Sequence, residues 1–126
     1  MSLLDLNVKD AVDLEAVVEG EYMLRVVAAE LQTSKKGNQM LMVRFEIVDA
    51  PTAKDINYYL LFPSEDDDAK RKNLRLLSFK NLYKALGVDS SGPVEVEELV
   101  GLEGSAFLGV EESDEYGEQN RIKKFS

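Results

Sequence analysis

Apolar and polar positions alternate with a two-residue period along several stretches of this chain and change to a helical spacing in one. From Gln39 to Val48, Leu41, Val43, Phe45 and Ile47 share one side and Met40, Met42, Arg44 and Glu46 the other. That is the pattern of a half-buried strand, with the aliphatic side inward and the Met/Arg side outward. A strand is also expected at Glu21–Gln32, where Tyr22, Leu24 and Val26 alternate with Met23, Arg25 and Val27. The turn Thr33–Asn38 separates the two, with Gly37 or Asn38 able to take positive φ. Asp55–Phe62 is expected as a third strand, closed by Pro63. Both of its sides, Ile56/Tyr58/Leu60/Phe62 and Asn57/Tyr59/Leu61, are apolar enough that the pattern leaves open which one faces inward.

Over Lys70–Leu86 the spacing becomes helical: Leu76, Phe79, Leu82, Tyr83 and Leu86 fall on one face. The acidic run Glu65–Asp68 suits the helix start, and Gly87 suits its stop. One helical turn is expected within Val94–Leu99, then strands at Ser105–Glu112 and Asn120–Phe125 around a hairpin loop, Ser113–Glu118. The order β-β-β-α-β-β predicts a mainly β fold, a five-stranded OB-fold barrel with one helix between its third and fourth strands. Residues 1–19 precede it as an acidic arm, and residues 20–126 form the OB-fold domain.

The chain has 126 residues, 44% hydrophobic and 31% charged, the balance of one globular domain. No apolar run is long enough for a membrane span, no signal-peptide pattern opens the chain, and a cytoplasmic address is expected. Cysteine and histidine are both absent, which removes disulfides, thiolate metal sites and the commonest general base. No Walker loop, nucleophile elbow or dinucleotide-binding fingerprint occurs, and no enzyme, metal or cofactor is expected. The consecutive acids Glu65–Asp68 lack the spacing of a calcium loop and read as solvated surface.

The net charge of −9 is unevenly distributed. Residues 1–24 carry −5 and residues 95–118 carry −9, whereas residues 25–94 carry +2 and the last eight residues add three bases. The middle and the end of the chain can therefore offer cations to a polyanion even though the whole is acidic.

Several segments, in this order and spacing, resemble a family of small bacteriophage proteins long filed as a domain of unknown function and associated with single-stranded DNA. They are Gly20-Glu21-Tyr22, Thr33–Gly37, Leu41–Val48, Ala85-Leu86-Gly87, Glu97–Gly101 and Gly117–Lys123. The resemblance spans nearly the whole chain. It implies an OB-fold binder of single-stranded DNA acting in phage DNA replication or recombination, alongside phage replication or recombination proteins. Two departures stand out: the Ala50–Asp55 connection lacks a glycine often found there, and the chain ends at Ser126 without a flexible acidic tail.

Sequence-tolerant single-strand binding needs cations along the backbone and rings under the bases. In an OB-fold these gather on strands two and three and the flanking loops. The candidates are Lys35 and Lys36 in the first loop, Met42 and Arg44 on the second strand, and Tyr59 on the third. Tyr58 takes the place of Tyr59 if the strand faces the other way. Phe62 lies at the rim, and Arg121, Lys123 and Lys124 on the last strand extend the track. Lys70-Arg71-Lys72 reads as a solvated helix face, and Tyr116 sits among acids. The rival from another class is an OB domain or acidic DNA mimic that binds a basic protein; a metal-dependent nuclease is a distant third.

Overall fold

The computed structural model describes residues 3–126. Five strands form one antiparallel sheet: β1 (Gly20–Thr33), β2 (Gln39–Ile47), β3 (Ile56–Leu61), β4 (Glu103–Ser113) and β5 (Gly117–Phe125). One helix, α1 (Ala69–Leu86), lies between β3 and β4, with a single 3₁₀ turn at Val96–Leu99 before β4. The strands lie side by side in the order β3-β2-β1-β4-β5.

The long first strand organises the sheet. Its second half, Leu24–Thr33, pairs with β2, and its first half, Gly20–Arg25, pairs with β4. A bulge between Val26 and Ala28 makes Val27 the extra residue. Bulges bend a strand and increase its twist. Here the bulge also resets the alternation: Leu24 and Val26 face the core before it and Ala29 packs on the core after it, while Val27 is exposed. Just past the β4 ladder, Val26 exchanges backbone hydrogen bonds with the segment before β4: Val26 N–H donates to Leu102 O and Gly101 N–H to Val26 O.

The inward sides of β1, β2 and β3 meet in a core of Leu24, Val26, Leu41, Val43, Phe45 and Ile56, joined by Leu60, Ala106 and Leu108 from around the sheet. On the third strand the inward side is Ile56/Tyr58/Leu60, which turns Asn57 and Tyr59 outward. The sheet does not close on itself. β3 and β5 are its two edges, and across the gap between them side chains meet in place of a ladder: the Tyr58 and Phe125 rings stand edge to face with centroids 5.5 Å apart.

Helix α1 covers the core beside this gap. Asp68 caps it by accepting the Arg71 N–H at 2.7 Å, and Gly87 ends it at φ 71°, a left-handed conformation that costs glycine little. Leu82 and Leu86 are buried in the core, Phe79 packs at its margin, and the Tyr83 ring lies 6.3 Å from that of Phe79. Leu76 departs from the expected stripe: it is 57% exposed, because the buried side of the helix runs through Phe79, Leu82 and Leu86 and leaves Leu76 on an outer rim. At Gly104 in β4 a Cβ would lie 2.6 Å from the Ala85 carbonyl oxygen, so only glycine lets the helix end sit this close to the sheet.

The arm is anchored at one place. Glu15 N–H donates to Thr52 O, Lys54 N–H donates to Glu15 O, and the Asn120 side chain bonds both backbone groups of Val17, each at 2.8 Å. Upstream of Glu15, Leu3, Leu4, Leu6, Val8 and Val12 are exposed. Asp49, before the glycine-free connection, takes positive φ (68°), the role a glycine would otherwise fill.

Candidate nucleic-acid interface

The outer side of β1, β2 and β3 is a grid set by the strand register. One row places Glu30, Met42 and Tyr59 side by side, and the next places Ala28, Arg44 and Asn57. Tyr59 is 53% exposed on this face. Arg44 is exposed, donates from Nε to Asn57 Oδ1 at 3.2 Å, and takes part in no ion pair among the described residues. A ring and an uncommitted guanidinium thus occupy adjacent rows. Arg25, on the same sheet, is committed: Glu46 and Glu103 grip it at 2.8 and 2.7 Å and raise its pKa, Glu103 most strongly.

Met42 differs from the expectation. Its register is outward but it is only 6% exposed, flanked by Tyr59 and Glu30 on the neighbouring strands and by Met40 and Arg44 along its own. A side chain on an interior strand has neighbours on both sides, and an unbranched methionine fills the space between them. It lies opposite Tyr59 and offers little exposed surface of its own. Tyr58 is the inward ring of the pair, and burial pushes its phenol pKa up. Phe62 belongs to neither face. It stands edge to face with Phe79 at 5.2 Å and lines an apolar groove of about 450 Å³ with Leu76 and Tyr83.

Lys35 and Lys36 are exposed in the turn that joins β1 to β2. The turn is closed by Ser34 N–H to Asn38 O at 2.7 Å, with Gly37 at φ 86°. On β5, Arg121 lies 4.0 Å from Glu111 and Lys123 lies 2.6 Å from Glu19, whose carboxyl it holds below its usual pKa. The Lys124 ammonium sits 5.0 Å above the Phe107 ring. Tyr116 is exposed on the hairpin among acids, and its carbonyl accepts from Lys54 Nζ at 2.8 Å.

The structure also brings cations of α1 close to the third strand, a placement the sequence pattern does not reveal. Helix α1 carries six cations and no acid. Three of them, Lys70, Arg71 and Lys72, occupy its first turn, where the helix dipole opposes positive charge. Arg71 and Arg75 line a cleft of about 300 Å³ whose other wall is Tyr58, Tyr59 and Leu61. The signal was available in the sequence as an eighteen-residue helix with cations of one sign; what was missing was its position against the third strand. Within the acidic run, Asp67 accepts from Ser64 N–H at 3.0 Å and pairs with Arg75 at 2.9 Å, and the Ser64 bond is the larger cause of its lowered pKa. Among the described residues no helix is long and apolar enough to cross a membrane.

The model of a family described as protein of unknown function (DUF669) matches residues 5–123. The chain belongs to the DUF669 family. In this DUF669 chain the match takes in the arm from Asp5 onward, the helix, β1 to β4 and β5 as far as Lys123. No curated protein matches it.

Proposed function

We propose that this chain is a sequence-tolerant single-stranded-DNA-binding protein built on the OB-fold plan, serving DNA replication or recombination. The strand order β3-β2-β1-β4-β5, with a helix between β3 and β4 and with β3 and β5 facing each other across a gap, supports a partly open OB barrel. The observation that carries the binding reading is the exposed Tyr59 ring, set between Arg44 on one side and Arg71 on the other, with Arg75 held nearby by Asp67. Rings that stack bases beside cations that meet phosphates are the two requirements of sequence-tolerant single-strand binding. Lys35 and Lys36 stand at the same end of the sheet as the exit of β3, where Phe62 N–H donates to Gln39 O.

Titration of a fluorescent oligonucleotide, single-stranded against duplex, at two salt concentrations tests this. Single strands should bind more tightly, with log–log salt dependence of about −0.7 per phosphate neutralised. Equal or tighter binding to duplex, or no binding to either, overturns the proposal. In that second case the acidic arm and hairpin, which meet around Lys54 beside Glu15 and Glu118, would favour capture of a basic protein partner instead.

A further inference from the structure

We propose, on the basis of the single-strand reading above, that the gap between β3 and β5 is itself a phosphate cleft through which the DNA backbone continues beyond Tyr59. The cleft holds about 370 Å³ and its polar wall is Ser78, Asn81 and Lys84 of α1, Lys123 and Lys124 of β5, and Ser126. It shares Tyr58 and Ser78 with the neighbouring cleft that contains Tyr59, Arg71 and Arg75. The two clefts therefore adjoin along α1, with the Tyr59 ring in one and the lysines in the other.

Local structure builds the lysine end. Leu108 pairs with Ile122 while Phe107 pairs with Lys124, so Lys123 is the extra residue of a bulge in β5. Bulges re-aim side chains. This one leaves both Lys123 and Lys124 exposed between Ile122 and Phe125, two residues packed on the core. Phe107 steadies the Lys124 ammonium from below at 5.0 Å. Lys84 arrives from the last turn of α1, where a cation is favoured.

The open seam has a second consequence. Because β3 and β5 are sheet edges, each carries one side of backbone free of ladder partners, and such edges offer amide donors. Charge placement agrees: nine of the fifteen Lys and Arg residues lie on α1 and β5, the elements that flank the seam. Glu19 pairs with one of the cleft lysines, Lys123, and a phosphate entering there competes with that carboxylate.

The test uses oligothymidylates from about 4 to about 16 nucleotides, the range of site sizes seen per OB-fold. Parent affinity should climb with length. A Lys84→Ala/Lys124→Ala variant should match the parent on the shortest strand. On the longest it should bind about tenfold more weakly, with a salt slope shallower by roughly 1.4, two phosphates' worth. A Lys70→Ala/Lys72→Ala variant, with the same charge change outside the cleft, should lose clearly less. Melting curves confirm that each variant folds. Equal behaviour of the cleft variant and the parent at every length, while Arg44→Ala and Tyr59→Ala weaken, overturns the cleft and leaves the sheet-face reading intact. Equal losses from the two lysine pairs also overturn it, because net charge then explains the effect. Loss at every length in the cleft variant with none in Arg44→Ala keeps the cleft and removes the sheet face. A parent that binds no single strand overturns both.

Discussion

Tyr58 and Tyr59 are neighbours in the chain and opposites in position, because successive side chains of a strand point to opposite faces. Tyr58 packs on Phe125, whose ring also lies 6.3 Å from Phe45, while Tyr59 stands in water. The two alanine variants should separate cleanly. Tyr59→Ala should weaken single-strand binding by roughly 1–3 kcal/mol, the worth of one stacked base, and leave melting within a few degrees of the parent. Tyr58→Ala should lower stability by about 2 kcal/mol or more through the cavity it opens against Phe125. Arg44→Ala should weaken binding and flatten the salt slope by roughly 0.7, one phosphate, whereas Tyr59→Ala should leave that slope unchanged. Anisotropy titrations at several salt concentrations, with thermal melts alongside, check all three. If Tyr59→Ala unfolds the protein, the third-strand register is displaced by one residue. The period-two pattern identified this pair but could not choose between its members, since Ile56/Tyr58/Leu60 and Asn57/Tyr59/Leu61 are both apolar. The choice comes from pairing with β2, which seats Tyr58 opposite Val43 and Tyr59 opposite Met42. Met42 shows the same limit from the other side: alternation reports the direction of a side chain but not how closely its cross-strand neighbours cover it.

At the scale of elements, the order of three strands, a helix and two strands was legible because each carries its own period and its own turn chemistry. Asp68 and Gly87 bound the helix, and Gly37 and Gly117 turn the two hairpins at positive φ. Contacts between elements were not legible. Nothing in the local pattern marks Val27 or Lys123 as bulge residues, or shows that Leu76 faces outward, since these follow from how β1 bends to meet two partners, from how β5 pairs with β4 and from where α1 rests. The point where α1 rests can be tested at Gly104. Gly104→Ala places a methyl carbon against the Ala85 carbonyl, and backbone at that distance cannot yield without moving the helix end. The variant should be destabilised by roughly 1–3 kcal/mol, as overpacked sites are. Because the displaced element carries Lys84, it should also bind long single strands more weakly than a surface alanine of equal stability. Denaturant melts and length-series titrations measure the two effects. A variant as stable as the parent would mean that the helix end is not seated against β4.

For the molecule as a whole, charge is unevenly spread: α1 carries cations and no acid, yet the acidic run Glu65–Asp68 lies directly before it and Asp67 pairs with Arg75. Acids collect where the arm, the β2–β3 loop and the 113–117 hairpin converge around Lys54, near the start of β3. Cations collect on α1, which follows the end of β3, and on β5 along the seam. A net charge of −9 is therefore compatible with a polyanionic ligand, since a strand lying along α1 meets its six cations while the acids of the arm and the 113–117 hairpin lie elsewhere. Salt screening limits what the acidic end can do: fields between exposed charges fade over about 8–10 Å at physiological ionic strength. Removing residues 1–14 deletes Asp5, Asp10 and Asp13 with Lys9, a net change of two charges, and keeps the anchors at Glu15 and Val17. The shortened protein should melt close to the parent, because the side chains of residues 3–14 are exposed. Its affinity for a single strand should rise slightly at low salt, where repulsion is least screened, and converge on the parent's as salt approaches physiological levels. Paired titrations of the two proteins across a salt series measure this. A large loss of binding in a shortened protein that still melts normally would place the arm in contact with DNA, and the exposed leucines at its start would then belong to the binding surface.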